Sequence, residues 1–224
     1  MIKRLFDVIF SGIGLILLAP ILIPIIIILR FTGEGEVFFL QERIGKNNTP
    51  FFITKFATML KDSPNLGEYT VHNDPRVLPI GKFLRKSKIN ELPQLWDIFR
   101  GEMSFVGPRP QMTKIHTSYP DDFDIVLKKL KPGVTGIGSI IFRDEETILT
   151  NAIDKDYCYK QQIIPYKTDL ELWYLENQSF SLDIILIFMT VSVIIFPKSK
   201  LLETLYPTIP SKNLDDFTGI NPDH

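Results

Sequence analysis

The chain has 224 residues, enough for one domain with its own core plus an appendage. A net charge of −1 argues against a nucleic-acid binder and confines basic character to local patches. The single cysteine, Cys158, excludes an intramolecular disulfide and a cysteine-only zinc site; it fits a reducing compartment and reads as an inert thiol.

Apolar residues cluster at the two ends of an otherwise ordinary soluble composition. Val8 to Leu29 carries no charge over 22 residues, long enough to cross a hydrocarbon core of roughly 30 Å. It is too long for a signal-peptide core. Pro20 and Pro24 each remove a backbone donor, which predicts a kink or break near Ala19-Pro20. Basic residues stand on both sides, Lys3 and Arg4 before and Arg30, Arg43 and Lys46 after, whereas a spanning helix is normally asymmetric. A simple span and a re-entrant hairpin that leaves by its entry face both fit these facts.

Glu36 to Leu40 and Thr49 to Phe56 read as strands around the Gly45-Lys46-Asn47-Asn48 turn, a short β-hairpin. Gln41, Glu42 and Arg43 stand at a strand end, where they either reach a ligand or simply face water. Lys61 to Pro75 is polar and reads as a loop, with His72 solvated.

The stretch from Lys82 to Pro110 concentrates the chemistry. Lys82, Arg85 and Lys86 are spaced to share one helical face, either solvated or facing phosphate groups. Asn90-Glu91-Leu92-Pro93 has helix-start character, with Asn90 as the cap and Glu91 at the positive end. Such a start is a sufficient explanation of these residues; it is also a ready anion site. Leu92, Leu95, Trp96 and Phe99 follow at helical spacing, and Gly101 closes the helix. In Gly107-Pro108-Arg109-Pro110 two prolines flank a guanidinium, a stiff arrangement suited to bidentate phosphate recognition.

Further on, Phe123 to Leu130 reads as a short helix. Pro132 to Gly138 is a glycine-rich loop without a nucleotide-loop spacing. Ser139 to Phe142 resembles a strand, followed by the acidic run Asp144-Glu145-Glu146. Asn151 to Tyr174 reads as helix interrupted at Pro165. Phe180 to Phe196 is an apolar helix that starts at Ser181 and Asp183 and stops at Pro197. It is too short for a comfortable span, so it is buried or interfacial. The tail from Pro207, rich in Pro, Asp and Asn, reads as disordered.

The segment order resembles the bacterial sugar transferase family, the monotopic polyprenyl-phosphate phosphoglycosyl transferases that start glycoconjugate assembly. The resemblance runs from Lys3 to about Phe196. It is carried by KRLFDVIFSGIGLILLAP, QERIGKNNTPFFITKFATM, NDPRVLPIGKFLRKSKINELPQL, GEMSFVGPRP and KPGVTGIGS, and by the apolar helix after FSLD. It implies a mostly helical α+β fold with a re-entrant N-terminal helix (residues 1–30, broken at Ala19-Pro20). It further implies a catalytic domain over 31–200 with a short β-hairpin and interfacial amphipathic helices, leaving 201–224 as a partly disordered tail. It implies location at the bacterial inner membrane facing the cytoplasm, Mg²⁺ as cofactor, and a UDP-sugar, polyprenyl phosphate and membrane lipid as partners. A homodimer is a further association it admits.

The implied reaction moves a sugar-1-phosphate from the UDP-sugar to polyprenyl phosphate and releases UMP, the first membrane step of surface glycoconjugate synthesis. In the family an Asp-Glu dyad does the chemistry, the Asp attacking the β-phosphorus. Here the dyad falls on Asn90-Glu91, and an amide is a poor nucleophile and a weak hard-metal ligand. KFATM also departs, with Ala57 where a basic residue is usual. Glu91 is then the expected catalytic carboxylate with Asn90 beside it, and Arg85, Arg109 and Arg143 match the phosphate-binding positions. Metal ligands are not assignable from the sequence. Two other readings stay open: a catalytically impaired membrane scaffold, and a lipid-carrier glycosyltransferase that releases UDP.

Overall fold

The computed structural model describes residues 1–63, 75–196 and 201–220. The expected loop around His72 and the Pro197 stop lie outside them. Apart from the first two residues, the chain forms two compact units. One comprises Lys3–Glu42 and Phe52–Glu102, the other Arg43–Phe51 and Met103–His224.

The first unit is built on α1, Ile2–Phe31, a single helix of 30 residues and hence about 45 Å long. It runs through Pro20 and Pro24 without interruption, so the expected break at Ala19-Pro20 is absent. Each proline deletes one intrahelical donor while the bonds on either side continue the helix. One side packs inward: Leu22, Ile25 and Leu29 form a core with Phe56 and Leu84. Gly12 and Gly14 lie against Phe99 and Leu95, where a larger residue would hold the elements apart. The other sides expose Ile9, Phe10, Ile13, Ile16, Leu17, Ile21, Ile23 and Ile27. Among the described residues this is the one helix long and apolar enough to cross a membrane.

Strands β1 (Phe38–Ile44) and β2 (Pro50–Phe56) form the expected hairpin. Asn47 and Asn48 take positive φ in its turn, a conformation asparagine tolerates better than most residues. Helix α2 (Pro79–Lys86) starts on a proline and leads into a 3₁₀ turn at Ile89–Glu91 and then α3 (Gln94–Arg100). Helix α3 ends at Gly101, φ +91°, and Arg4 donates to its last carbonyls, Ile98 O at 2.7 Å and Phe99 O at 2.8 Å. A cation there also suits the negative helix end.

In the second unit, β3 (Ser104–Val106) pairs in parallel with β4 (Gly133–Thr135), Ser104 opposite Gly133 and Val106 opposite Thr135. The stretch expected to be a glycine-rich loop is therefore half strand. Short helices α4 (Thr113–His116), α5 (Asp121–Lys129), α6 (Ile137–Ile141) and α7 (Glu145–Asn151) surround the pair in the sequence. Residues 139–141, expected as strand, belong to α6. A run of three apolar residues fits either period, and here burial of Ile137 and Ile140 decides for helix.

Helix α8 (Lys155–Tyr157) passes into a π-helical segment, Cys158–Ile163, and then α9 (Ile164–Asn177). Pro165 lies in the first turn of α9 and interrupts nothing. Helix α10 (Phe180–Ile195) is capped by Ser179, whose hydroxyl accepts from Leu182 N; the expected start at Ser181 is two residues late. Leu182, Leu186 and Met189 of α10 join a core with Phe123, Val126, Ile137, Ile163, Tyr166 and Leu170.

The stretch 207–220 does not behave as its composition suggests. Ile209 and Phe217 are buried in the same core. Phe217 stacks on Tyr166 and meets Phe142 edge-on, and Tyr166 Oη donates to Pro210 O at 2.8 Å. Two apolar anchors and main-chain bonding outweigh the polar residues between them. Cys158 is fully buried here, its thiol pointing at Phe217 O and pushed up in pKa by burial, as an inert thiol should be.

Candidate functional site

In the first unit, the buried carboxylate of Asp97 on α3 sets the geometry. It accepts from Thr54 N at 2.7 Å and from Thr54 Oγ1 at 2.8 Å, tying α3 to β2. Burial raises the Asp97 pKa, and the two Thr54 donors oppose that rise. The clamp fixes the next residue of β2, Lys55, whose ammonium lies 3.9 Å from Glu91 Oε1 and 3.2 Å from Gln41 Oε1. Glu91 is partly open, its side chain 28% exposed, so its carboxylate is both charge-paired and accessible.

Asn90 is not the helix cap expected of it. It sits inside the 3₁₀ turn, α3 starts after Pro93 with no side-chain cap, and Asn90 Oδ1 is buried without a hydrogen-bond partner. Lys88, just before the turn, holds positive φ, a conformation costing on the order of 1 kcal/mol for a non-glycine residue. The orphaned amide oxygen thus stands just after a residue with strained backbone.

Of the basic face on α2, Lys82 and Lys86 are exposed while Arg85 turns inward, with Nη1 donating to Met59 Sδ at 3.3 Å. The first unit thus brings Arg85, Asn90, Glu91 and Lys55 into neighbouring turns. Asn90 Oδ1 and the Glu91 carboxylate are hard oxygen donors of the kind magnesium takes. Among the described residues no three His, Cys, Asp or Glu gather as a metal site, so such an ion would draw its other ligands from phosphate and water.

In the second unit, the Gly107-Pro108-Arg109-Pro110 turn is held from both sides. Gly107 N donates to Thr135 O and Gly133 N to Pro108 O, both at 2.9 Å. Gly107 has no room for a Cβ, since Lys131 O and Gly133 N stand in its way. Ile44 N donates to Gln111 O at 2.8 Å, Arg43 Nη1 to Pro110 O at 3.4 Å, and Gln111 Nε2 to Arg109 O at 2.7 Å. Both prolines are buried and Arg109 alone is exposed: the turn presents one guanidinium.

Arg143 is placed differently. Its guanidinium is paired with the Asp144 carboxylate and donates to Val193 O. Glu145, the next acid, pairs with the buried Lys167 at 2.6 Å. Two acids of the Asp144-Glu145-Glu146 run therefore hold cations.

Sequence reasoning passed over several groups around these residues. Lys167 lies over the rings of Phe142 and Tyr159, at 5.2 and 5.6 Å. Burial lowers its pKa, and Glu145 works against that fall. Tyr159, on the π-helical segment, is pushed up to about 12 by burial, while Arg109 and Arg43 beside it hold it from rising further. Glu171, fully buried, is pushed up to about 7 by desolvation, against a backbone bond from Gly138 and the charge of Lys167. A lysine and a glutamate four residues apart on α9, Lys167 and Glu171, gave no local signal. Lys55 alone was findable, being the basic residue of the KFATM segment.

The family model for the bacterial sugar transferases matches residues 1–197. Among curated relatives, the exopolysaccharide production protein ExoY of Rhizobium meliloti (strain 1021) is 31% identical over 210 residues, 87% of this chain and 85% of the relative. A UDP-glucose:undecaprenyl-phosphate glucose-1-phosphate transferase of Klebsiella pneumoniae is 34% identical over 192 residues, 84% of this chain and 39% of the relative. A UDP-N-acetylgalactosamine-undecaprenyl-phosphate N-acetylgalactosaminephosphotransferase of Aeromonas hydrophila is 28% identical over 197 residues, 87% of this chain and 44% of the relative. The chain thus spans less than half the length of the last two. With the match running through both units and every site residue named above, the chain belongs to the bacterial sugar transferase family.

Proposed function

We propose that this protein transfers a sugar-1-phosphate from a UDP-sugar to undecaprenyl phosphate, releasing UMP, at the start of a surface polysaccharide. The observation that carries the reading is the accessible Glu91 carboxylate, held by Lys55 in the motif the family shares. Relatives named as undecaprenyl-phosphate sugar phosphotransferases supply the substrate class. The exposed apolar sides of α1 support residence in a membrane. Lys3 and Arg4 at one end and Arg30 at the other are basic groups of the kind that favour the cytoplasmic face, which supports catalytic units on the cytoplasmic side of the inner membrane.

Asn90 cannot attack phosphorus as a carboxylate would, so the reading is a direct displacement. An oxygen of the lipid phosphate bonds to the β-phosphorus of the UDP-sugar. The bond from that phosphorus to the bridging oxygen breaks, and UMP leaves with its electron pair. Glu91 takes the proton of a monoprotonated lipid phosphate and positions the attacking oxygen. Arg85 and Arg109 bind phosphate oxygens. Magnesium, when bound, would neutralise charge on the UDP diphosphate and so on the departing UMP, with Asn90 Oδ1 and Glu91 as the protein groups to hold it.

The test is product identity. Full-length protein with undecaprenyl phosphate, Mg²⁺ and a panel of UDP-sugars should yield UMP with at least one sugar. UDP instead would mean transfer of sugar alone, and neither product, beside an active family member run in parallel, would leave a scaffold. Intact-mass measurement of Asn90→Asp should reveal a phosphosugar adduct that the native chain does not form. An adduct on the native chain would overturn the one-step route.

A further inference from the structure

The Gly107-Pro108-Arg109-Pro110 turn has few main-chain donors of its own, because both prolines lack an N–H. Its support comes from β4, a strand of three residues facing another of three. So short a two-stranded pair holds little by itself. The bond that enters the turn is Gly107 N to Thr135 O at 2.9 Å. Gly136, the next residue of the chain, lies so close that a Cβ on it would stand 2.3 Å from Gly107 O. Any shift of Thr135 therefore moves the backbone that presents Arg109.

Thr135 is held in turn from α10. Its Oγ1 lies 2.6 Å from Thr190 Oγ1, and Thr190 Oγ1 donates to Leu186 O at 2.8 Å, one turn back on the same helix. A hydroxyl has one proton to give. That of Thr190 is taken by Leu186 O, so Thr135 is the donor of the pair and Thr190 the acceptor. A helical threonine can satisfy itself on its i−4 carbonyl. Here the same hydroxyl also receives a strand hydroxyl 55 positions away. Leu186 and Met189, beside Thr190, are buried in the core of the second unit, so the acceptor stands on a fixed face of α10.

We propose that Thr135 and Thr190 are positioning residues for Arg109: their hydroxyl pair fastens β4 to the core-packed face of α10 and so sets where the guanidinium meets a phosphate ester. The path runs from Leu186 O through the two hydroxyls to Thr135, and from Thr135 O to Gly107 N and the proline-flanked arginine. Neither threonine touches the ligand. This rests on the function proposed above, in which Arg109 binds phosphate oxygens, and deepens it by assigning what aims that group.

The experiment uses full-length protein in detergent with undecaprenyl phosphate, Mg²⁺ and the UDP-sugar that yields UMP. Thr190→Val keeps the shape and removes the acceptor. It should raise the KM of the substrate that Arg109 holds about 3- to 10-fold, the range of one neutral hydrogen bond, with kcat within about twofold. A rise for the UDP-sugar assigns Arg109 to the nucleotide diphosphate; a rise for undecaprenyl phosphate assigns it to the lipid headgroup. Thr190→Ser restores the hydroxyl and should stay within about twofold of the native KM. Thr135→Val should match Thr190→Val, and the double variant should be no worse than either, since each breaks the same bond. Thr150→Val on α7 is the control, an exposed threonine with the same bond to its i−4 carbonyl, Glu146 O; it should leave both KM values unchanged. Native KM values in a folded Thr190→Val overturn the role, and so does a Thr190→Ser as impaired as the valine. Should Thr190→Val fail to fold, native KM values in Thr135→Val overturn it instead. Absence of UMP from the native protein sinks the transfer reaction and moves the test to titrations of UDP and of undecaprenyl phosphate in nanodiscs. Arg109→Gln should then weaken one probe, and Thr190→Val should weaken it only while Arg109 is present; binding of both probes untouched by these variants overturns the positioning role too.

Discussion

The surroundings of Glu91 in the first unit and of Glu171 in the second place charge differently. In the first, the candidate carboxylate is near the surface. Glu91 is partly exposed, with one lysine at 3.9 Å, and a strained turn with an orphaned amide oxygen stands beside it. In the second, charge is taken inside: Lys167 and Glu171 are buried, and Lys167 is paired at 2.6 Å. An exposed, loosely paired carboxylate contributes little to stability, so its place in the motif is best explained by chemistry. Buried, paired charges are costly to assemble and costly to break, so they fix the shape of whatever they surround. The contrast predicts that substitution of Glu91 loses turnover with little loss of stability, and that substitutions in the buried core of the second unit reverse this.

The largest expected effect is at Glu91. Glu91→Gln should lower turnover by about 10²- to 10⁴-fold, the usual range for removing a general base. The unfolding midpoint should change little, as expected for an exposed ion pair. Single-turnover kinetics and a denaturant titration of the same preparation check both halves. Full turnover would remove Glu91 from the mechanism, and a collapse in stability would erase the contrast between the units. Next comes Phe217→Ala, which removes a buried ring stacked on Tyr166 and set edge-on to Phe142, the ring under Lys167. It should cost about 3 kcal/mol or more, read as a shift in denaturant midpoint. A value near zero would mean that the 207–220 segment does not hold the second unit together.

Much of the first unit was legible because its signals are local. The apolar run of α1, the basic face of α2 and Gly101 at the end of α3 each act within a few residues. Other features depend on partners far along the chain. Strand β4 exists because Gly133 and Thr135 meet Ser104 and Val106. Arg43 reaches the Arg109 turn across 67 positions, and the Lys167–Glu145 pair spans 22. Asn90 shows the limit most sharply. Its residue type fits a cap, but the chain makes a 3₁₀ turn there and begins α3 only after Pro93, leaving the amide oxygen with no donor. Arg143 shows the converse, since its neighbour Asp144 is close enough in sequence to pair with it.

The smallest expected effect probes the buried charge of the second unit through pH. Glu171 has a folded pKa of about 7, above its ordinary value, with burial as the main cause. The folded state therefore binds more protons than the unfolded state between those two values, and stability must fall as pH rises through that window. Its contribution is fully present below about pH 4, the unfolded carboxylate range, and is lost by about pH 7 to 8. The groups acting on it are the charge of Lys167 one helical turn away on α9 and the backbone N–H of Gly138 on α6. The loss is on the order of 2 to 3 kcal/mol. Glu171→Gln keeps the shape and removes the titration, so the variant should show a shallower decline between pH 5 and pH 8. It should also gain on the native chain at the alkaline end. Parallel declines in the two proteins would mean that Glu171 ionises without cost and that the second unit is less tightly closed around it than its burial indicates.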